Sequence, residues 1–384
     1  MRSTLGKTAA IAAFCTLAQV GAASAEVKVG IVQSLSGSAS AQGISLVQAA
    51  KLAIPDVIGD EKVAIIVLDD ATDPAIATRN AKKLIEEENV DVIYGASITP
   101  SSIAVAQVAT AAGVPLVANA PVNLGGDRNT LIFNVPPPPV KWIIPAVEDM
   151  RRRGVKTVGF LGFSDAWGDI SFDALKAHAE KGGYKIVADE RYARADTSVT
   201  GQVLRLMAAK PDAIFLGVAG TPGVLGNVSI VERGYRGPIY NGVGIFNQTF
   251  VTLGGARLEG IYATIGAVGL GQKLPDSDAR KPVVMDFIKK YEAKYGSGTA
   301  DALTGFGYDA GLVTAKAIEA ALKSGAKSGT PKFRQAIADG MRSFKDFAGV
   351  HSIYNFSDPS WPWGVGDDAA FLVKIEKGKW EPAS

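Results

Sequence analysis

Short, nearly continuous apolar runs alternate along the chain with longer segments whose apolar positions recur every three to four residues. The first runs are "VKVGIVQ" from Val27, "KVAIIVLDD" from Lys62, "VDVIYGAS" from Val90 and "VPLVANA" from Val114. Between them lie "SLVQAAKLAI", "ATRNAKKLIEEEN" and "PSSIAVAQVATAAG". A second series repeats the order: "KTVGFLGF", "YKIVADERY", "PDAIFLGVA" and "GPIYNGV", interleaved with "ISFDALKAHAEKGG", "VTGQVLRLMAAK" and "GVLGNVSIVERG". Strands that are apolar on both faces, alternating with amphipathic helices, predict parallel sheets covered on both sides. Two such series predict an α/β protein of two doubly wound lobes.

The stretch "NVPPPPVKW", Asn134 to Trp142, separates the series. Four prolines fit neither a helix interior nor a central strand, so this segment reads as the crossover between lobes. After the second series, "ARLEGIYATIGAVG" supplies a strand and a second crossing. The helical stretches "PVVMDFIKKYEAKYG", "DALTGFGYDAGLVTAKAIEAALKSG" and "TPKFRQAIADGM" then return to the first lobe, and "FLVKIEKGKW" is expected as a last strand on the second. The expected division is residues 26–140 plus 269–347 for the N-terminal lobe and 141–268 plus 348–384 for the C-terminal lobe. Three crossovers make a natural hinge.

In open α/β sheets ligands bind beyond the carboxyl ends of the strands. Here those ends are "QSLSGSASAQG", "GASITPSS", "VANAPVN", "LGFSDAWGD", "GVAGTPG" and "NGVGIFNQ". They are rich in small and hydroxyl residues and hold almost no catalytic chemistry. Ser36, Gln42, Thr99, Ala120, Pro121, Trp167, Thr221, Val243 and Phe246 are the candidate ligand contacts they offer. In "SITPSS", Thr99 suits the N-cap and Pro100 the first helical position. Ordinary capping and reception of a carboxylate by hydroxyls and free N–H groups are both open readings. Trp167 in "DAWG" fits a core position or a lid over a planar ligand, and Asp165 fits a helix cap or a partner for a ligand amine.

Composition narrows the setting. "MRSTLGK", an apolar "TAAIAAFCTLAQVGA" and "ASA" at Ala23 to Ala25 have the form of a secretory signal peptide over residues 1–25. Cys15 is the single cysteine, so an exported chain cut after Ala25 has none for a disulfide, thiolate site or nucleophile. Lys and Arg number 40 against 38 Asp and Glu. Loss of Arg2 and Lys7 makes them equal, which argues against nucleic acid or an anionic membrane as partner. His178 and His351 lie far apart in sequence, without a metal-ligand spacing. Asp69, Asp70 and Asp73 in "LDDATDP" are too few for a calcium loop and read as a strand-to-helix turn. A secreted hydrolase would need a nucleophile and base brought together from distant segments, and no such constellation is visible.

"VGIVQSLSGSASAQG", "LDDATDP", "VIYGASITPSS", "FSDAWG", "DTSVTGQVLRLMAAKPDAIFLGVAGTPG" and "VKIEKGKW" together resemble the periplasmic leucine/isoleucine/valine-type solute-binding proteins over residues 26–380. The resemblance implies a type I periplasmic binding protein, without cofactor and monomeric. It implies work in the periplasm, delivering a solute to the permease of an ABC importer. It places Thr99 at the family's carboxylate-holding hydroxyl, Ala120 at a backbone contact, Trp167 at the cleft aromatic and Thr221 in the second-lobe ligand loop. Two positions depart. Val122 stands where a second hydroxyl is usual, and Val243 stands where an acid pairs with the α-ammonium. No Asp or Glu precedes Glu259 in "GPIYNGVGIFNQTFVTLGGARLEG". The expected ligand is therefore an apolar acid, an aromatic carboxylate, with a branched-chain amino acid or amide as the alternative. Parts of the chain are also similar to aromatic-acid members, although "DPSWPWGVGDD" with Trp361 and Trp363 departs from their pattern. A ligand-sensing role would use the same cleft.

Overall fold

The structure, a computed structural model, describes residues 26–366 and 370–383. The expected signal peptide, residues 1–25, lies outside the described residues.

Six strands form the first sheet: β1 (Glu26–Gln33), β2 (Val57–Ile58), β3 (Glu61–Asp69), β4 (Val92–Gly95), β5 (Leu116–Ala118) and β6 (Ile132–Asn134), in spatial order β2-β3-β1-β4-β5-β6. All neighbours run parallel except the short β2 on β3. The chain leaves β1 for β3 on one side and returns to β4 on the other. The switch point therefore lies between β1 and β4, where Val32 pairs with Gly95. The strands are apolar on both faces because helices cover both: Val27, Val29 and Ile31 belong to one core cluster, Val32 to another.

The second sheet takes β7 (Thr157–Phe163), β8 (Lys185–Tyr192), β9 (Ala213–Gly217), β10 (Ile239–Asn241) and β11 (Tyr262–Ile265). A two-stranded ribbon, β12 (Phe347–Ala348) with β13 (Ile353–Tyr354), follows at the hinge. The chain then returns to the second sheet through β14 (Phe371–Glu376) and β15 (Lys379–Pro382), giving the order β15-β14-β11-β10-β9-β7-β8. The terminal segment expected as one strand is thus a hairpin. Lys377 and Gly378 both have positive φ, 52° and 72°, between the paired Glu376 and Lys379. Two such residues make the tight turn that right-twisted antiparallel strands favour.

The two lobes are built alike where strand gives way to helix. Gly43 in helix Ser40–Ala53 and Gly168 in helix Ala166–Ala177 sit against the ends of β1 and β7. A Cβ there would lie 1.9 Å from the Ser34 carbonyl oxygen and 1.8 Å from that of Phe163, respectively. Only glycine permits this approach.

The chain passes between lobes three times: after β6, after β11 and before β14. Late helix Ala302–Lys323 packs against Ser40–Ala53 of the first lobe. Its buried Asp309 accepts hydrogen bonds from the backbone N–H of Val350 (2.6 Å) and His351 (2.9 Å) and from the Tyr354 hydroxyl (2.8 Å). The same hydroxyl lies 3.2 Å from the Val135 carbonyl oxygen in the first crossover. One carboxylate thus ties the third crossover to a first-lobe helix, and one tyrosine bridges the first and third crossovers. Burial pushes the Asp309 carboxyl up to about 7, against the pull of its three donors.

Candidate functional site

At the first-lobe switch point, helix Thr99–Ala111 starts one residue earlier than the sequence suggests. Ile98 holds the extended N-cap conformation (φ −121°, ψ 150°), and no side chain caps the helix. Thr99, expected as the cap, is the first helical residue. Its hydroxyl is therefore not consumed by the backbone. The residue is 2% exposed, and Oγ1 forms no hydrogen bond with any described residue. Neighbouring hydroxyls do structural work instead. Ser102 Oγ accepts from the Ala96 N–H at 2.7 Å, and Ser97 Oγ donates to Gln33 Oε1 at 2.6 Å. Gln42 donates from Nε2 to the Ser97 carbonyl oxygen at 2.6 Å.

Across the cleft, Asp165 caps helix Ala166–Ala177. Its Oδ1 accepts from the N–H groups of Trp167 (2.9 Å) and Gly168 (3.2 Å). Its other oxygen accepts from Arg194 Nε at 2.6 Å. Trp167 is 6% exposed and lies 5.6 Å, centroid to centroid, from Trp142, which is 6.4 Å from Phe306. Behind Phe306 the His351 ring stacks at 3.8 Å. His351 is wholly buried with Nε2 on the Ala302 carbonyl oxygen, and burial holds its pKa down at about 3. It is a neutral packing group.

Among these groups lies a cavity of about 40 Å³ between the lobes. Gln42, Thr99, Ala120 and Pro121 line it from the first lobe, with Asn119, whose Oδ1 accepts from the Tyr94 hydroxyl at 3.1 Å. Trp167, Ala219 and Val243 line it from the second, with Arg194; Trp142, Leu303 and Phe306 also border it. Among the described residues Arg194 is the one lining residue with a formal charge, and no described acid lines the wall. The space is well below the ~150 Å³ that admits benzene, so an aromatic ring enters only if the walls part. A more polar compartment of about 270 Å³ adjoins it, sharing Gln42 and Leu303.

Three candidate residues lie elsewhere. Ser36 is exposed and donates its hydroxyl to Asp69 Oδ2 at 2.7 Å, which holds the loop after β1. Thr221 faces the outer compartment. Phe246 turns its ring onto Trp380 of β15, 5.3 Å away, as second-lobe core. Val122, the other departure from the expected pattern, is buried in the first-lobe core. Trp361 and Trp363 pack against each other at 4.6 Å with their rings tilted by 50°, and neither borders the inner cavity. Trp142, Asn119, Arg194, Leu303 and Phe306 are lining residues that sequence reasoning did not name. Arg194 follows the end of β8 and obeys the strand-end rule; Trp142 stands three residues after the last of the prolines. Leu303 and Phe306 carried no signal, because a long late helix brings them in.

Two open-sheet lobes, three crossovers and a cavity between the strand ends of both lobes define a two-lobe solute-binding protein. The chain belongs to the periplasmic binding protein family, whose sequence profile matches residues 26–379. It is similar to an extracellular ligand-binding receptor from Rhodopseudomonas palustris, with 38% identity, a TM-score of 0.90 and coverage of 94% of this chain and 100% of that one. It is 23% identical to Leu/Ile/Val-binding protein homolog 3 of Brucella melitensis over 86% of this chain and 88% of the relative. A solute-binding protein of an ABC transporter from R. palustris, solved in complex with benzoate, shares the fold at 18% identity and a TM-score of 0.74, with 93% and 95% coverage. The chain is thus a periplasmic solute-binding protein of the Leu/Ile/Val type, a family of transport proteins rather than enzymes.

Proposed function

We propose that this protein captures a small apolar carboxylate, an aromatic acid, between its lobes and delivers it to the permease of an ABC importer. The observation that carries this is the wall of the inner cavity. Val243 occupies it, 2% exposed, and no described acid does, while Thr99 offers a buried hydroxyl without a partner among the described residues. A zwitterion would bury its ammonium there without a counter-charge, at a cost of several kcal/mol. A carboxylate on an apolar ring makes no such demand, and the tryptophans provide flat apolar surface. The closing bodies are residues 26–140 with 269–347 and residues 141–268 with 348–384, acting as a monomer. The N-terminal 25 residues serve as the export signal. Ligand contacts to both bodies shift the population toward the closed form, which the permease recognises.

The names of the curated relatives favour a second reading, a branched-chain amino acid or amide. A thermal-shift panel of benzoate, phenylacetate, leucine, isoleucine and their amides tests the choice. Stabilisation by the aromatic acids alone is expected. A large shift with leucine and none with benzoate would reverse it.

A further inference from the structure

We propose that Arg194 is the second lobe's anion contact, so that the ligand carboxylate is gripped from both sides of the cleft. This rests on the carboxylate reading above and adds to it the residue that makes closure depend on negative charge. The guanidinium is held on two sides. Nε donates to Asp165 at 2.6 Å, and the flat face lies 4.1 Å from the centre of the Phe163 ring. The side chain is 10% exposed. Its terminal nitrogens form no hydrogen bond with any described residue, and the residue lines the inner cavity. Asp165 cannot swing to serve them. One of its oxygens already accepts two helix N–H groups and the other accepts Nε.

Arg191, three residues earlier, shows what a purely structural arginine looks like in the same segment. It spends Nε and both terminal nitrogens on Asp189, Asp169 and the Phe163 carbonyl oxygen. Arg194 instead keeps its terminal pair free, and that pair matches the two oxygens of a carboxylate. A guanidinium carries a formal positive charge on a planar fork of donors, which suits the charge and the shape of a carboxylate. Thr99 and Arg194 come from different lobes and line one cavity. An anion touching both stabilises the closed form, while a neutral isostere loses the Arg194 share. Asp165 and Phe163 are positioning residues: they set where the fork points.

Isothermal titration with benzoate and with benzamide, its neutral isostere, tests this on the wild type and on Thr99→Val, Arg194→Met and Arg194→Lys. Arg194→Met should weaken benzoate by about 30-fold or more, the loss typical of removing one partner of a buried charged pair, and change benzamide less than about threefold. Arg194→Lys should restore part of the benzoate affinity. Arg194→Met that keeps benzoate within threefold of wild type, or loses both probes equally, overturns the inference. If Thr99→Val weakens benzoate in the same series, the carboxylate reading survives that failure. If Arg194→Met does not fold, Arg194→Lys decides: a benzoate-to-benzamide preference equal to wild type overturns the bidentate fork, and a reduced one supports it. Wild-type protein that binds neither benzoate nor phenylacetate overturns both proposals.

Discussion

Replacing Thr99 with valine tests the site with two effects of opposite sign. The substitution exchanges a hydroxyl for a methyl of nearly the same shape. In this structure Thr99 Oγ1 is buried, bonds to no described residue and does not cap its helix. Bound to a carboxylate, the hydroxyl would make a charge-assisted hydrogen bond worth about 1.5–3 kcal/mol. Its loss raises the dissociation constant by roughly 10- to 150-fold, at 1.4 kcal/mol per factor of ten. Without ligand the sign reverses. Swapping an unpartnered buried hydroxyl for a methyl relieves a desolvation penalty, so the unliganded variant should be equal to wild type or more stable by up to about 1 kcal/mol. For a chain of this size that is a rise of about 1–2 °C in Tm. Had Thr99 been the helix cap, the same change would cost about 1 kcal/mol. Titration calorimetry with benzoate and urea denaturation without it read the two signs separately. Unchanged affinity, or an unliganded variant destabilised by more than about 1 kcal/mol, would refute the reasoning.

Other perturbations have equally definite outcomes. Val243→Asp puts an anion into the cavity wall: benzoate affinity should fall by about tenfold or more while leucine binding rises, both read by calorimetry. Trp167→Ala removes an apolar wall and should weaken benzoate about tenfold, seen as a shifted fluorescence titration of the remaining tryptophans. Asp309 and His351 give opposing pH slopes. The Asp309 carboxyl is raised to about 7 from 3.8, so the folded state holds an extra proton between those values and stability falls as pH rises through that window, by up to about 4 kcal/mol. His351 is lowered to about 3 from 6.5, so stability is lost as pH falls through that range. Asp309→Asn should remove that falling slope and leave the rising one of His351 opposed by Asp301, whose buried carboxyl is raised to about 6. From pH 4 to 6.5 the stability difference between that variant and wild type should shift steadily in the variant's favour, and urea midpoints of the two that run parallel would contradict the assignment.

The fold was largely legible because two levels of sequence signal agreed. Runs such as "VIYG" and "AIFLG" are apolar throughout since helices cover both faces of their sheets, and the four prolines after Asn134 mark the first crossing. The hairpin at β14 and β15 was missed because Lys377 is an unusual residue for a positive φ. At the site, strand-end composition drew attention to Thr99, Ala120, Trp167 and Val243, all just beyond the carboxyl ends of parallel strands. It misplaced Ser36 and Phe246, whose loops are right but whose side chains turn to Asp69 and Trp380. Direction within a loop is set by tertiary packing, which periodicity does not carry. The same holds for Leu303 and Phe306, which reach the cavity only because helix Ala302–Lys323 packs onto helix Ser40–Ala53.

Gly43 and Gly168 fasten each helix start to its strand end with no room for so much as a methyl group between them. Neither rim of the cleft can therefore reshape itself around a guest by sliding its leading helix. Fit has to come from how far one half swings toward the other and from side-chain rotamers, and a solute of the wrong length would leave the swing unfinished.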